Sequence, residues 1–231
     1  MTLRLILASA SPARTKLLAE AGIQHTVIVS DVDEDEVTVR SGTPGPGDTA
    51  LLLARAKAES VAALPDAQGA LVIGCDSIFE FDSEAHGKPY EPSVARERIG
   101  RMSGSSGVLH TGHWLIDARD GHDGGTGVGA GGGTGAGWDP SQDVACGAGA
   151  VASATVHFAE MTEAEIAAYV ATGEPLNCAG SFTIDGLGGA FITRVDGDPH
   201  AVVGLSVSTL RELLQKAGLS VTDFWNQPST A

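Results

Sequence analysis

The chain is short of positive charge. Lys and Arg number 14 against 29 Asp and Glu, a formal net charge of −15 over 231 residues. Duplex DNA, RNA and anionic membranes demand cationic surface, so none is the expected main partner. An acidic protein that binds an anionic small molecule must gather its few cations in one place, which makes their positions informative. Cysteine is scarce too. Cys75, Cys146 and Cys178 are an odd, scattered set with neither C-x-x-C spacing nor a histidine cluster. That speaks against a zinc site and a disulfide scaffold, and suits buried thiols in a reducing cytoplasm. No apolar run approaches the length of a membrane span. The first residues have an apolar core too short for a signal peptide, so the expected location is cytoplasmic. Neither a Gly-x-Ser-x-Gly elbow nor a Walker lysine motif is present.

What is there begins with LILASASPARTKLLAEAG, Leu5 to Gly22. It reads as a short apolar strand, a serine-rich turn and a helix. Ser11 is a good N-cap, Pro12 suits the first helical position, and Gly22 is the stop. A strand feeding a helix N-terminus presents free N–H groups and the positive dipole end to an anion. Ser9 and Ser11 add hydroxyls there, and Arg14 and Lys16 add charge. An ordinary β-α corner with surface cations is the plainer alternative.

Thr26 to Val29 reads as a second strand, running into the acidic stretch Asp31 to Glu36, which reads as a solvated loop. Asp48 is expected to cap an Ala-rich helix reaching Leu64 and carrying Arg55 and Lys57. Leu71 to Gly74 is a buried strand ending on Cys75-Asp76-Ser77. Ser93 to Met102 is a helix, and Val108 to Ile116 alternates like a strand. Between 121 and 149 glycine dominates, and such a segment buries too little to offset its ordering entropy, so a flexible insertion is expected. A strand at Ala154 to Phe158 follows, then a capping box of Thr162 and Glu165 opening a helix to about Thr172. Phe191 to Val195 is a strand. Thr209 to Ala217 is an amphipathic helix with Leu210, Leu213 and Leu214 inward. Strands alternating with helices predict an α/β fold with some antiparallel pairing.

In such folds ligands gather at the carboxyl ends of strands. Asp76, directly after a buried strand, would emerge there partly desolvated, able to bind a metal or take a proton. A turn aspartate is the alternative. Lys88 sits on a defined turn between Gly87 and Pro89, and singly reads as surface. Lys57 alone reads as a solvated helix residue. His110 and His113 read as sharing one sheet face and lining it.

Taken in order, Ser9-Ala10-Ser11-Pro12-Ala13-Arg14, Val32-Asp33-Glu34, Ala54-Arg55-Ala56-Lys57, Cys75-Asp76-Ser77, Gly87-Lys88-Pro89, Met102-Ser103-Gly104, His110-Thr111-Gly112, Thr172-Gly173-Glu174-Pro175, Cys178-Ala179-Gly180-Ser181-Phe182 and Val203-Gly204-Leu205 resemble the Maf family of nucleoside triphosphate pyrophosphatases. The resemblance spans nearly the whole chain apart from the glycine-rich segment. It implies one Maf-like domain over 1–231, with an elongated mixed sheet flanked by helices and two lobes around a cleft, resembling inosine triphosphate pyrophosphatases. It implies Mg²⁺- or Mn²⁺-dependent cleavage of a nucleoside triphosphate to monophosphate and pyrophosphate, and a homodimer. By position, Asp76 would be the proton acceptor for water, and Glu34 and Asp76 the metal-side carboxylates. Ser9, Ser11, Arg14, Lys57, Lys88 and Thr111 would bind substrate. Three positions depart from the family pattern: Ala13 stands where an arginine is usual, Cys178 where one branch has lysine, and Asp185 where glutamine or glutamate is common. The signals for the base conflict, so no base is assigned. A non-catalytic nucleotide-binding regulator of cell division is a competing reading, and a phosphatase a third.

Overall fold

The computed structural model describes residues 3–42, 45–119 and 147–225. In chain order they form β1 (Leu5–Ala8), α1 (Pro12–Glu20), β2 (Thr26–Val27), α2 (Glu34–Arg40), α3 (Pro46–Ala62), β3 (Leu71–Phe81), β4 (Glu84–His86), α4 (Pro92–Met102), β5 (Ser106–Asp117), β6 (Ala148–Phe158), α5 (Glu163–Ala171), β7 (Ile192–Gly197), α6 (Pro199–Val203) and α7 (Val207–Lys216). Seven strands make one mixed sheet in the order β2-β1-β3-β5-β6-β7, with β4 added to β3. β1 pairs parallel with β2 and β3, and every other pairing is antiparallel. This is the α/β fold with antiparallel pairing that the strand and helix alternation predicts, and the mixed sheet flanked by helices that the resemblance implies. The glycine-rich expectation lies outside the described residues except at its end, where Ala148 and Gly149 already belong to β6.

Local signals act where they were read. Ser11 caps α1 by accepting from the Arg14 N–H, with Pro12 in the first turn. Thr162 and Glu165 close a reciprocal capping box on α5. Leu210, Leu213 and Leu214 of α7 are buried with Leu5, Leu7, Ile73 and Cys75 on one face of the sheet. The Ala54, Ala58 and Val61 face of α3 packs on Ile6, Ala8 and Val72 on the other. Farther along the strands, Phe79, Phe158 and Phe182 form an edge-to-face aromatic cluster with Val156 and Leu109.

Expectations change in four elements. β6 already begins at Ala148 rather than at Ala154. The acidic stretch is a helix start, not a loop. Asp33 is its N-cap, accepting from the Glu36 N–H at 2.9 Å. Glu34, Asp35 and Glu36 fill the first turn and Arg40 the last, matching the helix dipole at both ends. α3 is capped by Gly45 with Pro46 just inside, so Asp48 lies within the first turn rather than before it. β3 does not end at Gly74. It runs on to Phe81 because β5 pairs with it from Leu71 through Glu80, and Asp76 and Ser77 are held inside that ladder.

Candidate active site

The long β3 has two different edges. One is paired with β5 throughout. The other is paired with β1 only as far as Gly74, opposite Ala8, and resumes with β4 at Phe79, opposite His86. Residues 75–78 therefore border a gap in the sheet edge. Asp76 and Ser77, adjacent in an extended strand, point to opposite faces of the sheet at that gap. A ligand lying across the edge can meet both.

On the Asp76 face sits α3. It lies very close to the sheet because two strand positions carry no side chain. A Cβ on Gly74 would fall 2.1 Å from the Ala54 carbonyl oxygen, and one on Gly112 would fall 2.2 Å from that of Ala50. This approach brings Lys57 down onto Asp76. Its Nζ donates to Asp76 Oδ1 at 2.5 Å and meets Glu34 Oε1, from the first turn of α2, at 2.7 Å. Lys57 and Asp76 are buried, whereas Glu34 is half exposed. Burial raises the Asp76 carboxyl above its ordinary pKa, against the opposing charges of Lys57 and Arg14. Burial by itself would lower the Lys57 ammonium, but the charges and hydrogen bonds of Asp76 and Glu34 outweigh it and hold it above the usual value. A carboxyl raised in this way is a better proton acceptor than a surface aspartate.

On the Ser77 face sits Arg14, itself buried. Its Nε donates to the Gly204 carbonyl at 2.6 Å, Nη1 to Ser9 Oγ at 3.1 Å and the Cys75 carbonyl at 2.9 Å, and Nη2 to Ser77 Oγ at 3.1 Å. A guanidinium has five N–H groups, so these four bonds leave one, on Nη2, for a ligand. Arg14 thus contributes an oriented charge more than a set of contacts. Ser77 Oγ and Thr111 Oγ1 are 2.9 Å apart, and Thr111 donates to the Ala201 carbonyl at 2.8 Å. Ser9 Oγ accepts from the Ser11 N–H and from Arg14, and Ser11 Oγ accepts from the Arg14 N–H. Each serine keeps its own hydroxyl proton to donate.

Residues 4–217 match the family described as Maf-like protein. The chain belongs to the Maf family. A protein of Leifsonia xyli subsp. xyli named nucleoside triphosphate pyrophosphatase is 47% identical over 231 residues, covering 97% of this chain and 98% of its own. One of Salinispora tropica with the same name is 47% identical over 230 residues, covering 98% of this chain and 89% of its own. A third, from Nocardia farcinica, is 43% identical over 232 residues, covering 99% and 100%.

Of the residues the Maf resemblance singles out, the structure brings Glu34, Lys57 and Asp76 together on one face and Ser9, Ser11, Arg14 and Thr111 together around Ser77 on the other. Lys88 is apart from both. It is exposed, with no hydrogen bond or ion pair to either cluster, and its charge acts on Cys178. Yet it lies two residues beyond His86, the last paired residue of β4, and so stands on the far rim of the same gap. Glu34 and Asp76 offer oxygen donors converging on one point, now held by the Lys57 ammonium. Among the described residues no group of three or more His, Cys, Asp or Glu is placed to hold a metal ion. The donor set fits a hard cation shared with a ligand's oxygens, rather than one caged by protein alone.

The histidines fall differently from expectation. His110 and His113 are three residues apart, an odd spacing that puts them on opposite faces of β5. His110 lies between Ser153 Oγ at 2.8 Å and Glu80 Oε2 at 3.0 Å. His113 is fully buried, its Nε2 accepting from the Ser206 N–H at 2.8 Å. Sequence reasoning assigned no role to Ser77 or to the Gly204 carbonyl, the partners that fix Arg14. Ser77 stood in the quoted Cys75-Asp76-Ser77 motif, but a main-chain carbonyl leaves no residue-type signal.

Proposed function

We propose that this chain is a nucleoside triphosphate pyrophosphatase, splitting its substrate into a nucleoside monophosphate and pyrophosphate. The observation that supports this most is the buried Asp76, raised in pKa, held under Lys57 at an open sheet edge with Arg14 on the opposite face. Phosphoryl transfer demands that pattern: fixed cations against the charge of the polyphosphate and one carboxylate to orient or deprotonate water. In this reading Asp76 takes the proton from the attacking water. Lys57 and Arg14 oppose the substrate's negative charge from the two faces, and Lys88 does so from the far rim. Ser9 and Ser11 donate hydroxyl protons to phosphate oxygens, and Thr111 holds Ser77 and the α6 turn in place beneath them. Glu34 and Asp76 would hold Mg²⁺ or Mn²⁺. Bound there, the ion would offset charge on the phosphate oxygens as the anhydride breaks.

The proposal includes the cytoplasmic location and the homodimer that the resemblance implies. Among the described residues no helix is long and apolar enough to cross a membrane. The deciding experiment is a nucleotide panel assayed with Mg²⁺ or Mn²⁺ for pyrophosphate and for inorganic phosphate. Pyrophosphate with monophosphate supports the reading, and the panel identifies the base. Inorganic phosphate alone would make the protein a phosphatase. Binding without either product would favour the regulator, for which the missing arginine at Ala13 is the one favourable sign.

A further inference from the structure

We propose that His113 is a positioning residue for Arg14, acting through the turn between α6 and α7. This rests on reading the protein as a triphosphate hydrolase. Thr111 and His113, two apart on β5, share a face, and both fasten the same strap. Thr111 donates to the Ala201 carbonyl, and His113 Nε2 accepts from the Ser206 N–H. Between those anchors lies Gly204, left-handed at φ 117°, whose carbonyl receives the Arg14 Nε–H.

The Ser206 side chain is already committed. It caps α7 by accepting from the Thr209 N–H at 3.0 Å, and it donates to Asp198. Ser206 is the N-cap of α7, so its own N–H has no acceptor within the helix and needs one from outside. His113 supplies it. Because Nε2 accepts, the ring is neutral with its proton on Nδ1, and burial together with the nearby Arg14 charge favours that form. Nδ1 has no partner. The ring's one well-made hydrogen bond is therefore the one at Nε2, which a packing residue such as leucine could not supply. Without that acceptor the Ser206 N–H must turn elsewhere. The Gly204 carbonyl, two residues back along the same turn, then loses its place on Arg14.

The test compares wild type with His113→Leu and His113→Gln in full-length protein. Triphosphate charge is present before and during reaction, so a loosened Arg14 weakens binding of both states alike. His113→Leu should raise KM about tenfold, the weight of one hydrogen bond to a charged group, with kcat within about threefold. A purely structural residue would instead lower the active fraction, reducing kcat at constant KM. Glutamine can place an oxygen near the Nε2 position, and His113→Gln should return KM toward wild type. Should the leucine variant fail to fold, His113→Asn replaces it, since its carboxamide stops short of Ser206. A second arm needs no turnover. The Arg14 Nε–H signal in NMR, assigned by its disappearance in Arg14→Lys, should shift and exchange faster in His113→Leu and stay in place in His113→Gln. An unchanged Arg14 signal, or a fall in kcat at constant KM, overturns the proposal. A wild type that releases no pyrophosphate overturns the hydrolase reading instead, and the NMR arm still decides the role of His113.

Discussion

Replacing Lys57 with methionine keeps the side chain's length and bulk and deletes the ammonium. Two carboxylates then lose a partner. Glu34 is half exposed, and water replaces most of what it loses, so that half of the change is worth under about 1 kcal/mol. Asp76 is different: it is buried, and its nearest countercharge was at 2.5 Å. Breaking a buried pair from one side costs about 3 kcal/mol or more, because the remaining charge stays desolvated. Lys57→Met should therefore lower unfolding stability near neutral pH by about 3 kcal/mol. Lys57→Met/Asp76→Asn should recover most of that.

The pH dependence has a definite sign. Asp76 already lies above its ordinary pKa when folded, through burial, and losing Lys57 raises it further. A carboxyl whose pKa is higher folded than unfolded binds its proton more tightly in the native state. Its contribution favours folding below the unfolded value and is lost as pH rises through the folded one. The deficit of Lys57→Met should thus be small at about pH 4 and complete at about pH 8. Urea unfolding of wild type, single and double variants at both pH values measures it. A deficit equal at the two, or a double variant no more stable than the single, would refute the reasoning.

The remaining predictions concern the same site and the packing that builds it. Asp76→Asn should stay folded and release pyrophosphate at least about a hundredfold more slowly, because a carboxamide cannot take the water's proton; wild-type turnover would remove Asp76 from the mechanism. Thr111→Val keeps the shape but loses the bonds to the Ala201 carbonyl and Ser77, and should lower unfolding stability by about 1–2 kcal/mol, read as a lower urea midpoint at unchanged slope. Gly74→Ala drives a methyl into the Ala54 carbonyl and should destabilise by about 2 kcal/mol or more while displacing Lys57. Gly100→Ala, in α4 with open space at its Cβ position, should leave activity alone and raise the melting temperature slightly.

Several parts of this protein could be read without its structure. Ser11 and Pro12, the Thr162–Glu165 box and the leucine stripe of α7 are signals exchanged between residues a turn apart, so the chain carries them wherever it goes. The residue types of the site were legible through a resemblance strung along the sequence: serines, Arg14, Glu34, Lys57, Asp76. The continuation of β3 was not. Asp76 and Ser77 interrupt its apolar pattern, and the strand persists only because β5, some thirty residues later, supplies a hydrogen-bonding partner. The acidic stretch is ambiguous in sequence for a related reason. Charge alone suits a loop or a helix start, and the Asp33 cap decides it.

Which cation meets which acid was a tertiary matter throughout. Lys57 looks like a surface residue of its helix until Gly74 and Gly112 let α3 settle against the sheet and press it onto Asp76. Arg14 looks free to grip a ligand until Gly204, Ser9, Cys75 and Ser77 take four of its donors. Lys88 keeps to the far rim of a gap that exists because β1 stops at Ala8 and β4 starts opposite Phe79. The sequence by itself determined the elements and the kinds of side chain available. Their pairing was decided by close approach and by the supply of acceptors in space, which depend on residues far apart along the chain.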